Sequence, residues 1–147
     1  MTVLYADTSA IVRAYFVDEP DHKQLRELLL DGTDAVVSSE LARVEMASAI
    51  AAAARTLRLK QPHVILDRFD ADCGDDGPLA LLRLDPDVTL PLAYRMVSEH
   101  RLRTLDAIHL AVALVDAAEL AGGDSVCVVT RDNDQAAAAR ALGLETA

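Results

Sequence analysis

Short continuous apolar runs alternate along this chain with segments whose apolar residues recur at helical spacing. Residues 3–6 (VLYA) predict a buried strand, and a helix is expected from about Ser9. A second helix is expected over residues 22–30, and a second strand over 34–39 (DAVVSS). Residues 40–59 predict a long helix, with Ser39 as N-cap and Glu40 in the first turn. Pro62 is placed to open another helix, and the Gly, Pro and Asp of residues 72–78 predict a loop. Residues 87–91 (DVTLP) are ambiguous, with a helix expected from near Pro91 to about His100. A strong amphipathic helix is expected over 104–120, capped by Thr104 and stopped by the glycines of AGGD. Residues 125–130 (SVCVVT) predict another buried strand. The last helix begins near Asp132, which stands at capping-box spacing from Gln135, and Gly143 stops it. LETA at the end suggests a short edge strand. Strands that are apolar throughout imply a sheet covered on both faces, and their alternation with helices implies a mainly parallel α/β sheet.

Composition narrows this picture. With 147 residues, 52% of them hydrophobic, the chain is expected to form a single domain over 1–147 with a sizeable core. Aromatics are 3% and there is no Trp, so Ala, Leu and Val must fill the interior. No apolar run approaches the length of a bilayer span, and nothing at the N-terminus resembles a signal peptide, so a cytoplasmic protein is expected. Cys73 and Cys127 have no metal-ligand spacing and read as reduced structural cysteines. The net charge of −10 argues against holding nucleic acid by the overall field. It leaves room for nucleic-acid chemistry through bound metal and a local basic patch, and it suits a basic protein partner.

In parallel α/β sheets, ligands bind beyond the carboxyl ends of the strands. Asp7 ends the first strand, Asp132 follows the SVCVVT strand, and Asp106 lies in the first turn of its helix. Glu45 lies in a helix that is otherwise nearly all apolar, among Leu41, Met46, Ala49 and Ile50, which predicts that it points into the protein. Each has a plainer reading: Asp7 and Asp132 as helix caps, Asp106 as a dipole partner, Glu45 as the mate of Arg43, Arg55 or another Arg. Their joint placement at one sheet edge favours a shared site. Two like charges about 4 Å apart repel by roughly 4 kcal/mol at an effective dielectric near 20. Such a cluster needs raised pKa values or a cation. Oxygen-only ligands select Mg²⁺ or Mn²⁺, and a carboxylate-held Mg²⁺ suits phosphodiester hydrolysis.

The blocks ADTSAIVRAYF, ARVEMASA, RTLDAIHLAVA and VVTRDNDQAAAARALG occur in the order and approximate spacing of PIN-domain proteins. They most resemble the VapC-type ribonuclease toxins of bacterial toxin–antitoxin pairs, over essentially the whole chain. The resemblance implies a PIN-like fold, Mg²⁺-dependent endoribonuclease activity leaving a 5′-phosphate and a 3′-hydroxyl, a homodimer, and inhibition by a cognate VapB-like antitoxin with a basic segment. Asp7, Glu45, Asp106 and Asp132 match the family's acidic quartet, Thr130 its hydroxyl residue, and Ser9 a small polar residue that helps order the site. The segment between Asp106 and Asp132 looks longer than usual, which leaves Asp134 as a substitute for Asp132. The acidic loop around residues 70–78 has no match in the pattern and reads as solvated.

For gripping RNA the candidates are Arg13, Arg43 and Arg131, each equally readable as a surface charge. Arg55, Arg58 and Lys60 form a basic helix end that also suits the helix dipole. His109 reads as a packed helix histidine. The rival readings are an inactive PIN-like binding module, a DNase of the same fold, and a phosphatase with Asp7 as nucleophile. The last is disfavoured because Ser9 stands where such enzymes place a second Asp.

Overall fold

A computed structural model describes residues 1–147. Five strands form one sheet: β1 (Val3–Ala6), β2 (Ala35–Ser39), β3 (Leu79–Leu82), β4 (Val126–Val129) and β5 (Glu145–Thr146). Their order is β3-β2-β1-β4-β5 and every neighbouring pair is parallel. The chain builds outward from β1 to β3, then returns to the other side of β1 for β4. The order therefore reverses beside β1, which opens the crevice where open α/β sheets bind ligands.

Helices cover both faces. On one side lie α1 (Thr8–Tyr15), α2 (His22–Leu29), α3 (Leu41–Arg55) and α4 (Pro62–Asp72). On the other lie α5 (Pro86–Glu99), α6 (Thr104–Val112), α7 (Ala118–Ala121) and α8 (Asn133–Ala141). Side chains alternate across a strand. Leu4 and Ala6 therefore enter the first core while Val3 and Tyr5 enter the second. The two cores hold 18 and 17 buried residues, so both faces of the sheet are covered at its centre. That is why the central strands β1 and β4 are apolar at every position. Ala111, Ala113 and Ala117 are fully buried, and these small residues let the long helix lie close on β1 and β4. A single π turn, Ala113–Ala117, joins α6 to α7, and Gly122 ends the run in a left-handed conformation. No helix is long and apolar enough to cross a membrane.

Several sequence expectations are corrected. The strand β3 went unread, because it is an edge strand with a partly exposed pattern after Pro78. Helix α5 starts at Pro86 rather than Pro91: Asp85 caps it by accepting from the Asp87 N–H, and Pro86 takes the first-turn position that needs no donor. Pro91 lies inside this helix on its exposed side, where water can satisfy the carbonyl left unbonded. Helix α3 is not apolar on all sides in the sense expected. It buries Ala42, Met46, Ile50 and Ala53, and leaves Val44 71% exposed. Within the acidic loop region, Asp72 is not solvated, since it accepts from Tyr15 Oη at 2.6 Å. Both cysteines are free. Burial, with Asp70 and Asp72 adding and Arg43 opposing, pushes the Cys73 thiol up to about 11.

Helix α3 also stops earlier than residue 59. Its end has the paired bonds of a Schellman motif, Arg58 N–H to Ala53 O and Leu57 N–H to Ala54 O. The left-handed position of that motif, which favours glycine, is Leu57 at φ 60°, with its side chain 87% exposed. The strain has no compensating burial. Leu57→Gly is therefore expected to stabilise the fold by about 1 kcal/mol, read as a higher urea midpoint at unchanged slope.

Candidate active site

Four elements bring their acidic residues to one cavity. Asp7 follows β1, Glu45 projects from α3, Asp106 lies in the first turn of α6 and Asp132 caps α8. All four line a cavity of about 530 Å³ together with Thr8, Ser9, Ser48 and Arg103. Asp134, the substitute considered from sequence, is exposed and outside it.

Asp7 is both cap and wall. Its main-chain N–H donates to Val129 O at 2.9 Å, continuing the β1–β4 pairing past the strand end. Its Oδ2 accepts from the Ser9 N–H at 2.9 Å, and Oδ1 accepts from Gln135 Nε2 at 3.1 Å. The helix-cap reading and the site reading are thus compatible. Asp132 Oδ1 likewise accepts from the Gln135 N–H at 2.8 Å, as the capping spacing predicts.

Glu45 is held by groups other than the expected Arg. Its Oε1 accepts from Thr8 Oγ1 at 3.0 Å and from His109 Nε2 at 2.5 Å. Arg43 pairs with Asp70 instead. His109 is fully buried, as a packed histidine would be, yet it is part of the site. Its Nδ1 lies 2.8 Å from Tyr5 Oη, and its Nε2 lies 3.8 Å from Asp7 Oδ1. A carboxylate oxygen can only accept, so Nε2 carries the proton toward Glu45. Burial lowers the His109 pKa, but the bond to Glu45 and the charges of Asp7, Glu45 and Asp106 outweigh it and leave it raised. Burial foremost, then the charge of Asp7, drives the Tyr5 phenol well above its ordinary value, so it keeps its proton.

Arg103, missed from sequence, spans the mouth. Its Nε lies 3.3 Å from Asp106 Oδ2 and a terminal nitrogen 3.3 Å from Asp132 Oδ2. The side chain is 84% exposed, so it is a loosely held counter-charge. It does not fully compensate its neighbours. Burial first, then the charges of Asp7 and Asp132, raise the Asp106 pKa despite Arg103. The expected RNA-gripping residues are engaged elsewhere: Arg13 and Arg131 pair with Asp21, and Arg131 also donates to Ala147 O.

The donor set suits a hard cation: the carboxylates contribute oxygen only, and burial together with the charges of Asp7 and Asp132 disfavours the charged form of Asp106. As the side chains stand, no three acidic, imidazole or thiol groups converge closely enough to share one ion. Arg103 occupies the span between Asp106 and Asp132.

The model of the PIN domain matches residues 4–141. Ribonuclease VapC45 and Ribonuclease VapC49, from two strains of Mycobacterium tuberculosis, are each 34% identical over 115 residues, covering 78% of this chain and 76% of theirs. The fold is shared with VapBC2 from Rickettsia felis, solved bound to a DNA fragment from its promoter (TM-score 0.64, 13% identity, 99% of this chain and 97% of that one). It is shared also with a toxin–antitoxin complex from Klebsiella pneumoniae (TM-score 0.57, 16% identity, 91% and 90%). The chain belongs to the PIN-domain family, within its VapC ribonuclease group.

Because the folded state raises the Asp106 pKa, its ionised form costs stability once pH rises through the carboxylate range. Asp106→Asn is therefore expected to raise stability at pH 7 by on the order of 1 kcal/mol or less, read as a higher urea midpoint, and the gain should vanish at low pH where wild-type Asp106 is protonated.

Proposed function

We propose that this chain is a metal-dependent endoribonuclease, the toxin of a VapBC-type pair acting in the cytoplasm. The observation that carries this reading is that four carboxylates from four elements line one cavity at the switch point of the sheet. Asp7, Asp106 and Asp132 would hold Mg²⁺, or Mn²⁺ in its place, with Glu45 close by. When bound, the ion supplies charge neutralisation at the scissile phosphate and makes a coordinated water more acidic.

The chain's own residues do the rest. Thr8 and His109 both donate to Glu45 Oε1, which fixes the carboxylate and leaves Oε2 to accept a proton from the attacking water. Asp7 is immobilised on both oxygens and sets the floor of the cavity. Arg103, freed from Asp106 and Asp132 when a cation takes its place, is the one arginine lining the cavity and reaches the RNA backbone. In-line attack then leaves a 5′-phosphate and a 3′-hydroxyl.

The antitoxin contact follows from the same cavity. Val12, Val44, Ala49, Ala52 and Leu105 form an apolar rim beside the acidic floor. That combination suits a partner segment with apolar anchors and an Arg whose guanidinium enters among the carboxylates. A homodimer belongs to this reading too, with the second copy on the apolar groove of Leu90, Tyr94, Val97 and Ile108.

The test is cleavage of end-labelled RNA by the purified chain. Cutting is expected with Mg²⁺, none in EDTA, and a loss of about 100-fold or more in Asp7→Asn at unchanged circular dichroism. Cutting that survives EDTA and Asp7→Asn overturns the assignment. A folded wild type that neither binds divalent metal nor cuts RNA establishes the inactive binding module instead.

A further inference from the structure

Gln135 is a fully buried amide in the first turn of α8, where the other buried side chains, Ala138 and Ala139, are apolar. Burying an amide is favourable only if its hydrogen bonds are made. They are, and those of Nε2 reach two of the acidic residues. Nε2 donates to Asp7 Oδ1 at 3.1 Å and to the Asp106 main-chain carbonyl at 3.3 Å, while the main-chain N–H donates to Asp132 Oδ1 at 2.8 Å. One residue thus touches three of the four acidic residues, which come from three different elements.

Its orientation is set by chemistry. Oε1 accepts from Thr130 Oγ1 at 2.6 Å, and reversing the amide would set an oxygen against the Asp7 carboxylate. Since Thr130 spends its proton on Gln135, it accepts from Ser9 Oγ at 3.3 Å and from the Asp132 N–H at 3.1 Å. Ser9 Oγ in turn accepts from the Arg131 N–H at 3.0 Å. Donation therefore runs one way, from Ser9 through Thr130 and Gln135 to Asp7. The Ser9 N–H donates to the other Asp7 oxygen, so both routes converge on that carboxylate.

We infer that Gln135 is a positioning residue, whose buried amide ties the Asp7 carboxylate to the Asp106 main chain, beside the Asp132 carboxylate that its main-chain N–H caps. The inference rests on the metal reading above. Gln135 fixes the Asp7 carboxylate before any cation arrives, and so lowers the cost of assembling ligands drawn from separate elements.

The experiment is Mn²⁺ titration of the full chain by calorimetry, with wild type, Gln135→Leu, Thr130→Val and Asp134→Asn side by side, each with its urea midpoint. Outer-shell losses run at about 10- to 100-fold in metal affinity, and that loss is expected for Gln135→Leu. Thr130→Val, which leaves the amide without its anchor, should weaken binding in the same direction, and Asp134→Asn should bind like wild type. Wild-type Mn²⁺ affinity in Gln135→Leu, even at lower stability, overturns the inference and leaves the metal reading standing. If Gln135→Leu does not fold, Thr130→Val decides: wild-type affinity there overturns it equally. A wild type that binds no Mn²⁺ overturns the metal reading and this inference with it.

Discussion

The constraint on which the site depends is mutual repulsion among carboxylates gathered where β1 and β4 end. Asp7, Glu45, Asp106 and Asp132 line one cavity, and the Asp106 pKa is raised there by burial first and then by the charges of Asp7 and Asp132. Left alone, such a cluster would swing apart or take up protons. Here each carboxylate is met by donors. Ser9 and Gln135 hold Asp7, Thr8 and His109 hold Glu45, and Arg103 bridges Asp106 and Asp132. Thr8, His109 and Gln135 are buried and Ser9 is half-buried, while Arg103 is exposed and replaceable. The cavity thus has a firmly held inner half and an outer counter-charge that another cation could replace.

The sheet makes this possible. Because both faces are covered, Tyr5 faces the second core and Ala6 the first, and the chain then turns out at Asp7. Tyr5 reaches His109 on α6, and His109 reaches Glu45 on α3. A hydrogen-bonded line therefore crosses the protein from the core of one face to a helix on the other, ending at the cavity. The packing that stabilises the fold also fixes the Glu45 carboxylate.

The parts of this arrangement that were legible in the sequence were those set by local pattern. Val3–Ala6 and Val126–Val129 read as strands because burial on both sides makes every position apolar. Asp7, Asp106 and Asp132 drew notice because they stand at strand ends and helix starts. Glu45 was singled out on a premise the structure corrects, since α3 has an exposed face and the partner of Glu45 is an imidazole. The edge strand β3 and the start of α5 were missed, the first for its partial exposure and the second because Pro91 obscured the Asp85–Pro86 cap. Arg103 and the roles of Gln135 and His109 escaped for another reason. Gln135 is distant in the chain from Asp7, His109 from Tyr5 and Arg103 from Asp132, so no local spacing could announce those contacts, and the near pair Arg103–Asp106 reads from sequence as an ordinary surface ion pair.

The central claim is that these carboxylates form a metal site. It is tested most directly by crystals grown with Mn²⁺ and measured at a wavelength where manganese scatters anomalously. The account predicts an anomalous peak among Asp7, Asp106 and Asp132, with the Arg103 guanidinium turned away from the last two. No peak in the cavity at saturating Mn²⁺, with Arg103 still bridging Asp106 and Asp132, would contradict it.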